Sequence, residues 1–394
     1  MNKYFLNFRL SKDFFKWVLI EDRNDNYYIL KQKEVSNFSN LDEIENELSQ
    51  VELIVKKYSQ ENLLITNVVL DDDQINNLSL RILKTEVKDI KNVIDTNTKN
   101  EILGNFNNYL LYDKNGNFKT QYYRFTTNDG IMNKEYLDFP ENKVANTLNV
   151  SASLFHTPNN DDLELIKKLF SNYNFGNINY LVKTMALASH LRVSPAYNLL
   201  VDFNENYTAL ALIVNGVTIK YKQISFGTNN LLMKLCNQTK LTLNGTLNRI
   251  KAISKNLDVF KNIESETLDI FKNELDTLSN VFKHEINKFL KTNNIVKNIQ
   301  LNNVAFSGVL AQYLTEKIEL DNIDHLEKKV LDGQKSLMLF KCNDSTITGA
   351  LNISNNYRKE NNNQIDTLTT HFSLQPKKTM MQRIKYLFTL QKNN

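Results

Sequence analysis

The residues best placed for chemistry sit at one strand end and in the tight connection after it. In the run from Asn198 to Gly227, NLLVDFNENYTALALIVNGVTIKYKQISFG, Asp202 closes an apolar strand, Asn204 to Asn206 form the connection and Thr208 opens the next strand. An acid at such a place can hold a metal-bound water, and the backbone N–H groups of a tight loop can face phosphate oxygens if no Cβ stands in the way. Here Asn204, Glu205 and Asn206 occupy the positions where glycines would serve that approach. Asn tolerates positive φ, so the turn can keep the required shape. Glu205, by contrast, sets a negative charge beside the anion. Asp202 is equally well accounted for as a strand-end residue capping a turn.

Other chemistries find less support. The five histidines show no HxxxH or HxxE pairing, and Cys236 and Cys342 are far apart with no CxxC spacing. That usage fits a reducing cytosol better than a disulfide framework or a zinc site. A net charge of +4, dispersed along the chain, argues against nucleic acid as a partner. At 394 residues and 41% hydrophobic content the chain is long enough for two or more domains with large cores. Asn and Lys are heavily used while Gly (10) and Pro (4) are scarce, a bias under which glycine motifs drift. No apolar run approaches the ~20 residues of a spanning helix. The N-terminus lacks the apolar block and cleavage site of a signal peptide, so the expectation is a cytoplasmic chain without a spanning segment.

The elements that must position Asp202 come in two similar sets. Tyr4–Phe8, Lys16–Glu21 and Tyr27–Glu34 read as strands, followed by a helix at Leu41–Tyr58 and a strand at Leu63–Leu70. The second half opens alike, with strands Leu199–Phe203, Ala209–Val214 and Val217–Ile224. Two halves that both begin strand–hairpin–strand suit a duplicated fold around a cleft, although meandering antiparallel sheets share the pattern. The intervening residues 84–180 read as an inserted α/β subdomain. Its expected parts are a helix at Val87–Asn97, strands near Tyr109–Tyr112, Phe118–Phe125 and Thr147–Leu154, and a helix at Asp161–Ser171. The first lobe then spans 1–83 and the second 181–352, with a helical subdomain near 246–300 and a return to the first lobe near 341–352. Within the helical part, Leu268, Phe271, Leu275, Leu278, Phe282, Ile286 and Phe289 recur at intervals of three and four, which predicts one buried face. The opposite, charged face is where a partner can dock.

Residues 353–378 are polar and Asn-rich and read as a flexible linker to a last segment, 379–394. On a helix, Met380, Met381, Ile384, Leu387 and Phe388 fall within an arc of roughly 120°. Arg383, Lys385 and Lys392 flank that arc, and no acid follows Asp366. An apolar face with a basic rim suits the boundary of an anionic bilayer. Each buried large side chain contributes at most ~1.5–3 kcal/mol, so one such helix binds weakly and firm attachment needs several copies. The alternative, a helix docked on the protein body, is disfavoured by the long polar stretch before it.

Five short segments carry a family resemblance. They are NFRLSK (Asn7–Lys12), DFNENYT (202–208), LNRIK (247–251), FSGVLAQYL (306–314) and STITGAL (345–351). In this order they resemble the nucleotide motifs of actin-like proteins, whose patterns DIGTSK, DIGGGTT, AExIK and TGGGAQL end in a glycine-bearing closing segment. The insert and the amphipathic tail narrow the resemblance to the FtsA family of bacterial cell-division proteins, since related pilus-assembly proteins lack such a tail. The resemblance covers almost the whole chain. It implies an α/β, actin-like (ribonuclease H-like, duplicated) fold with two lobes around a central cleft. It also implies ATP with magnesium as cofactor, held by Arg9, Ser11, Lys12, Asp202, Asn204, Thr208, Gly227, Lys251, Gly308 and Gly349, with Asp202 toward the metal. The departures matter here: Asn7 replaces the first acid, Arg9 a glycine, Asn248 a glutamate and Val309 a glycine. They imply no significant ATP hydrolysis, with weak nucleotide binding through Arg9 or Lys12.

The family further implies attachment to anionic lipid on the inner face of the membrane at the division site, and self-association through the insert. It implies binding of the FtsZ C-terminal peptide on the helical subdomain, where Lys272, Lys283 and Lys288 are the candidates. Two other readings stay open: a working ATP-dependent polymerising ATPase, and an actin-like scaffold of a pilus or gliding apparatus.

Overall fold

The computed structural model describes residues 3–12, 14–23, 26–36, 41–59, 63–90, 93–110, 116–136, 138–158, 161–191, 197–256, 263, 265–292, 301–318, 327–331 and 344–359. The chain opens with β1 (Lys3–Leu10), β2 (Phe14–Arg23), β3 (Asn26–Ser36), α1 (Leu41–Ser59) and β4 (Leu63–Leu70). β1 is buried along almost its whole length, as a strand covered on both faces must be. It pairs antiparallel with β2 and parallel with β4, the crossover to β4 being made by α1. With β9 (Asn177–Val182), the order is β3-β2-β1-β4-β9.

The second half repeats the scheme. β10 (Tyr197–Phe203), β11 (Thr208–Val214), β12 (Val217–Ile224), β13 (Leu301–Gly308) and β14 (Glu327–Leu331) form a sheet in the order β12-β11-β10-β13-β14. Here β10 is antiparallel to β11 and parallel to β13, as β1 is to β2 and β4. Two sheets with the same succession of antiparallel and parallel neighbours make this an α/β, actin-like fold. The β11–β12 turn places Asn215 (φ 50) and Gly216 (φ 73) in the left-handed region, the geometry a two-residue hairpin favours.

A third, antiparallel sheet, ordered β5-β8-β6-β7, is built from β5 (Ser79–Val87), β6 (Gln121–Asn128), β7 (Asn133–Tyr136) and β8 (Thr147–His156). Its helix, α2 (Thr96–Leu110), corrects the sequence reading. Val87 ends a strand rather than opening a helix, and the strand expected near Tyr109 falls where α2 ends. Asp95 caps α2, accepting a hydrogen bond from the Thr98 N–H at 3.0 Å, and Ile102 and Phe106 bury one face. The chain is back at the first sheet with α3 (Asp161–Ser171), where Phe170 packs edge-on against Phe8 at 5.0 Å, and β9 then pairs with β4. The third sheet leans on β12: Ser153 Oγ donates to the Thr218 carbonyl (2.5 Å) and Phe155 meets Tyr221 edge-on at 5.2 Å.

Helices α5 (Thr228–Thr239), α6 (Leu243–Lys255), α7 (Glu266–Thr292) and α8 (Ala311–Lys317) belong to the second lobe. All seven apolar positions expected on one face of α7 are buried, Phe282 lying edge-on to Phe203 at 5.2 Å. Among the described residues no helix is long and apolar enough to cross a membrane.

One helix runs between the lobes, and a second packs along it on the first lobe. α4 (Lys183–Ala188) follows β9, and α9 (Ser345–Lys359) packs along it. Met185 and Ala186 join the first lobe's core, while Leu187 and Ala188 pack with Leu200, Ala211 and Ala305 of the second. Residues 353–359, expected as linker, are helical; the rest of the linker and all of the tail lie outside the described residues. Gly349 sets the approach of α9 to α4, because a Cβ there would sit 2.0 Å from the Ala186 carbonyl oxygen. Gly349→Ala is therefore expected to lower stability by about 2 kcal/mol through overpacking. Gly104→Ala in α2, with nothing within 4 Å of the added methyl, is expected to raise it by about 0.5–1 kcal/mol. Urea denaturation of the two variants checks both signs.

Candidate functional site

The ends of β1, β4, β10 and β13 converge on a cavity of about 210 Å³. Arg9, Ser11, Lys12 and Phe14 line it from the β1–β2 turn, and Asp71 and Asp73 from the end of β4. The loop Phe203–Tyr207, Thr228, Gly308 and Val309 line it from the second lobe. Five of the expected nucleotide residues, Arg9, Ser11, Lys12, Asn204 and Gly308, thus meet at one place. The same lining does not include Asp202, Thr208, Gly227, Lys251 or Gly349.

The polar groups of the cavity are largely committed to one another. Arg9 donates from Nε and Nη2 to both Asp71 oxygens (3.1 and 3.2 Å) and from Nη1 to Asp344 Oδ2 (3.1 Å). Burial disfavours its charge, but the two carboxylates outweigh that and hold the guanidinium above its ordinary range. Lys12 lies 3.5 Å from Asp73, and Lys16 lies 3.7 Å from Asp344. Asn206 Nδ2 reaches across the cleft to Asp73 Oδ2 at 3.4 Å.

The second loop is closed by its own backbone. Thr228 N–H donates to the Asn204 carbonyl and Asn229 N–H to the Glu205 carbonyl, both at 2.8 Å, so the first turn of α5 is taken up by the loop itself. None of Asn204, Glu205 and Asn206 has positive φ, which corrects the expectation that asparagines preserve a glycine-type turn. Thr208 Oγ1 donates to the Phe226 carbonyl at 2.8 Å, a structural role. Gly227 is pressed against the loop, where a Cβ would lie 2.4 Å from the Glu205 carbonyl oxygen. Gly308, at φ +100, lets β13 approach Phe203, whose carbonyl oxygen would be 2.0 Å from an added Cβ. Lys251 is exposed on α6.

Asp202 is fully buried, and its Oδ2 accepts from Lys183 Nζ (2.9 Å) and Asn204 Nδ2 (2.7 Å). Lys183 Nζ also donates to Asn204 Oδ1. Beside this group lies Asp72, which accepts from Thr184 N–H (3.1 Å), the Thr184 hydroxyl and the Tyr221 hydroxyl (3.0 Å). Burial, with a smaller contribution from the Asp202 charge, pushes Asp72 up to about 6 against the hydrogen bonds that favour its carboxylate.

Lys183, Thr184, Asp71, Asp72, Asp73, Tyr221 and Asp344 escaped the sequence reading. The run Asp71-Asp72-Asp73 at the end of an apolar strand was the available signal. Their partners are up to 335 positions away along the chain.

Magnesium–ATP does not fit these residues. The cavity is smaller than the ~300 Å³ at which ligand pockets begin. Three acids (Asp71, Asp73, Glu205) line it against two cations (Arg9, Lys12), each cation already beside a carboxylate. Added phosphate charge there is repelled, and Asp202 Oδ2 is already held by the Lys183 ammonium. Among the described residues no group of three His, Cys, Asp or Glu side chains is arranged for a metal.

The lysines suggested for a partner all lie on α7 but do not form one cluster. By helical geometry Lys272 and Lys283 are about 20° apart, and Lys288 is about 160° from Lys272. Lys272 lies 3.8 Å from Asp269.

No family model and no curated protein matches the sequence. Among solved structures, the chain is similar to the PilM–PilN type IV pilus biogenesis complex, at 11% identity and TM-score 0.49, over 89% of this chain and 97% of that one. It is similar to the ethanolamine utilization protein EutJ from Carboxydothermus hydrogenoformans, at 10% identity and TM-score 0.42, over 89% of each chain. It is also similar to the apo psk41 ParM protein, at 12% identity and TM-score 0.40, over 91% of this chain and 99% of that one. Each is a likeness of fold alone. The chain has an actin-like fold whose cleft is lined by ion pairs between its own side chains.

Proposed function

We propose that this chain is a nucleotide-independent, FtsA-like scaffold that tethers FtsZ filaments to the inner face of the cytoplasmic membrane. The observation that supports this reading is the cleft, where Arg9 and Lys183 are bound to Asp71, Asp344 and Asp202 of the chain itself. A body in which Arg9 is locked within the first lobe and Lys183 ties the inter-lobe helix to the second sheet presents one constant surface. Such a surface suits holding a partner better than a cycle driven by hydrolysis. The amphipathic segment 379–394 supplies the lipid contact. The charged face of α7 receives the FtsZ C-terminal peptide, and self-association through the inserted sheet multiplies weak lipid contacts into firm attachment.

Co-sedimentation with anionic vesicles, with FtsZ and without nucleotide, tests this. The full chain is expected to carry FtsZ into the vesicle pellet. Deletion of residues 379–394 is expected to reduce vesicle binding at least about tenfold, given how few other lipid contacts the sequence offers. Unchanged vesicle binding by the truncated chain would remove the tail from the account. Vesicle-bound protein that leaves FtsZ in solution would point to a scaffold of another membrane apparatus.

A further inference from the structure

The Lys183 ammonium sits among oxygens of the kind a hard divalent cation takes. It is bound at once by a carboxylate oxygen of Asp202 and the amide oxygen of Asn204. The second carboxylate oxygen, Asp202 Oδ1, is buried with no hydrogen-bond partner, although Asp202 has no solvent exposure. An orphaned, buried carboxylate oxygen is costly unless something positive is close by. Asp72 lies close enough for its charge and that of Asp202 to act on each other. Lys183 is the first residue of α4, the short helix between the lobes, while Asp202 and Asn204 belong to the second sheet and its loop. The ammonium therefore ties the inter-lobe helix to the strand end where the sequence placed a magnesium-facing acid.

We propose that Lys183 is a built-in replacement for the divalent cation of this cleft, and that removing its charge opens a cation site on Asp202 and Asn204. A magnesium-type ion binds through one or two carboxylates and keeps several waters. With Lys183 gone, the unpartnered Asp202 Oδ1, Asp202 Oδ2 (then held only by the Asn204 Nδ2) and the Asn204 amide oxygen form an adequate inner set. While Lys183 is present, its positive charge and its volume exclude such an ion. The wild-type chain then holds its lobes together without metal. This inference rests on the nucleotide-independent reading of the cleft, but its test uses neither vesicles nor FtsZ, so its failure leaves the tethering claim standing.

The experiment titrates Mn2+ into the full-length chain without nucleotide, following free Mn2+ by electron paramagnetic resonance and the melting temperature in parallel. The wild type is expected to show no specific Mn2+ binding. Lys183→Met is expected to bind one equivalent at least about tenfold more tightly than the wild type and to melt at higher temperature as Mn2+ rises. Lys183→Arg, which keeps the charge, is expected to remain blind to Mn2+, and adding Asp202→Asn to Lys183→Met is expected to abolish the new site. If Lys183→Met fails to fold alone, Mn2+ or the added Asp202→Asn substitution should each restore a cooperative melt. The proposal is overturned if the wild type binds as tightly as Lys183→Met, or if folded Lys183→Met gains no Mn2+ binding. It is equally overturned if the gained binding survives Asp202→Asn, or if Mn2+ does not restore folding to an unfolded Lys183→Met.

Discussion

Replacing Arg9 with methionine is expected to lower the unfolding free energy by about 3–5 kcal/mol, the range for removing one partner of a buried charge network. The guanidinium spans Asp71 at the end of β4 and Asp344 at the start of α9, through three hydrogen bonds of 3.1–3.2 Å. Methionine fills similar volume but leaves Asp71 without that bidentate partner. Asp344 keeps Lys16 at 3.7 Å and the Thr346 and Ile347 N–H groups at the start of α9. Burial alone would raise the Asp344 carboxyl, yet Arg9 and Lys16, with the Ile347 N–H, hold it below its ordinary range. Its folded-state affinity for protons is therefore lower than in the unfolded chain. Its stabilising contribution is present above the ordinary aspartate range and is lost as pH falls through the lowered value. Arg9→Lys retains the charge but not the fork and is expected to cost about 1–2 kcal/mol. Adding Asp71→Asn to Arg9→Met is expected to recover part of the loss, because it removes the stranded charge. Urea denaturation at neutral pH measures all three. A loss below about 1 kcal/mol for Arg9→Met would mean that this arginine is held ready for a ligand rather than built into the fold.

The same residues show which parts of the molecule were open to sequence reading. Strands in the first seventy residues and from 197 to 224 were legible because apolar residues mark them out between Asn-rich turns, and Asn215-Gly216 is a turn by its own chemistry. The buried face of α7 was legible because its period is local to the helix. Helix α2 was misread because Asn107-Asn108-Tyr109-Leu110-Leu111-Tyr112 mixes turn and strand formers, while its evidence, the Asp95 cap with Ile102 and Phe106 four apart, is slight. The location of the cleft was legible, since Arg9, Ser11, Lys12, Asn204 and Gly308 do line one cavity. Its chemistry was not. Whether Arg9 meets a phosphate or a carboxylate depends on which strand ends adjoin β1, and only the parallel pairing of β1 with β4 brings Asp71 beside it. Lys183 reads as an unremarkable lysine opening a helix until the second sheet sets Asp202 against it.

Asp72 should make the chain less stable as pH rises from about 4 to about 6, the reverse of the effect expected from Asp344. Burial raises its folded-state value from 3.8 to about 6, with the nearby Asp202 charge adding to the shift. Between those two values the native chain binds more protons than the unfolded one, so stability falls with rising pH, and the penalty persists at neutral pH. The shift corresponds to about 3 kcal/mol. Asp72→Asn removes the titration while keeping the geometry: its amide oxygen can accept the Thr184 N–H, and its NH2 can donate to the Thr184 and Tyr221 hydroxyls. Those hydroxyls are free to turn and accept. The stability of Asp72→Asn relative to the wild type is therefore expected to grow by about 2 kcal/mol between pH 4 and pH 7. Paired urea denaturation curves at several pH values read that difference directly. Parallel pH dependence in the two proteins would show that Asp72 keeps an ordinary carboxylate affinity, and that its hydrogen bonds to Thr184 and Tyr221 outweigh the combined effect of burial and the Asp202 charge.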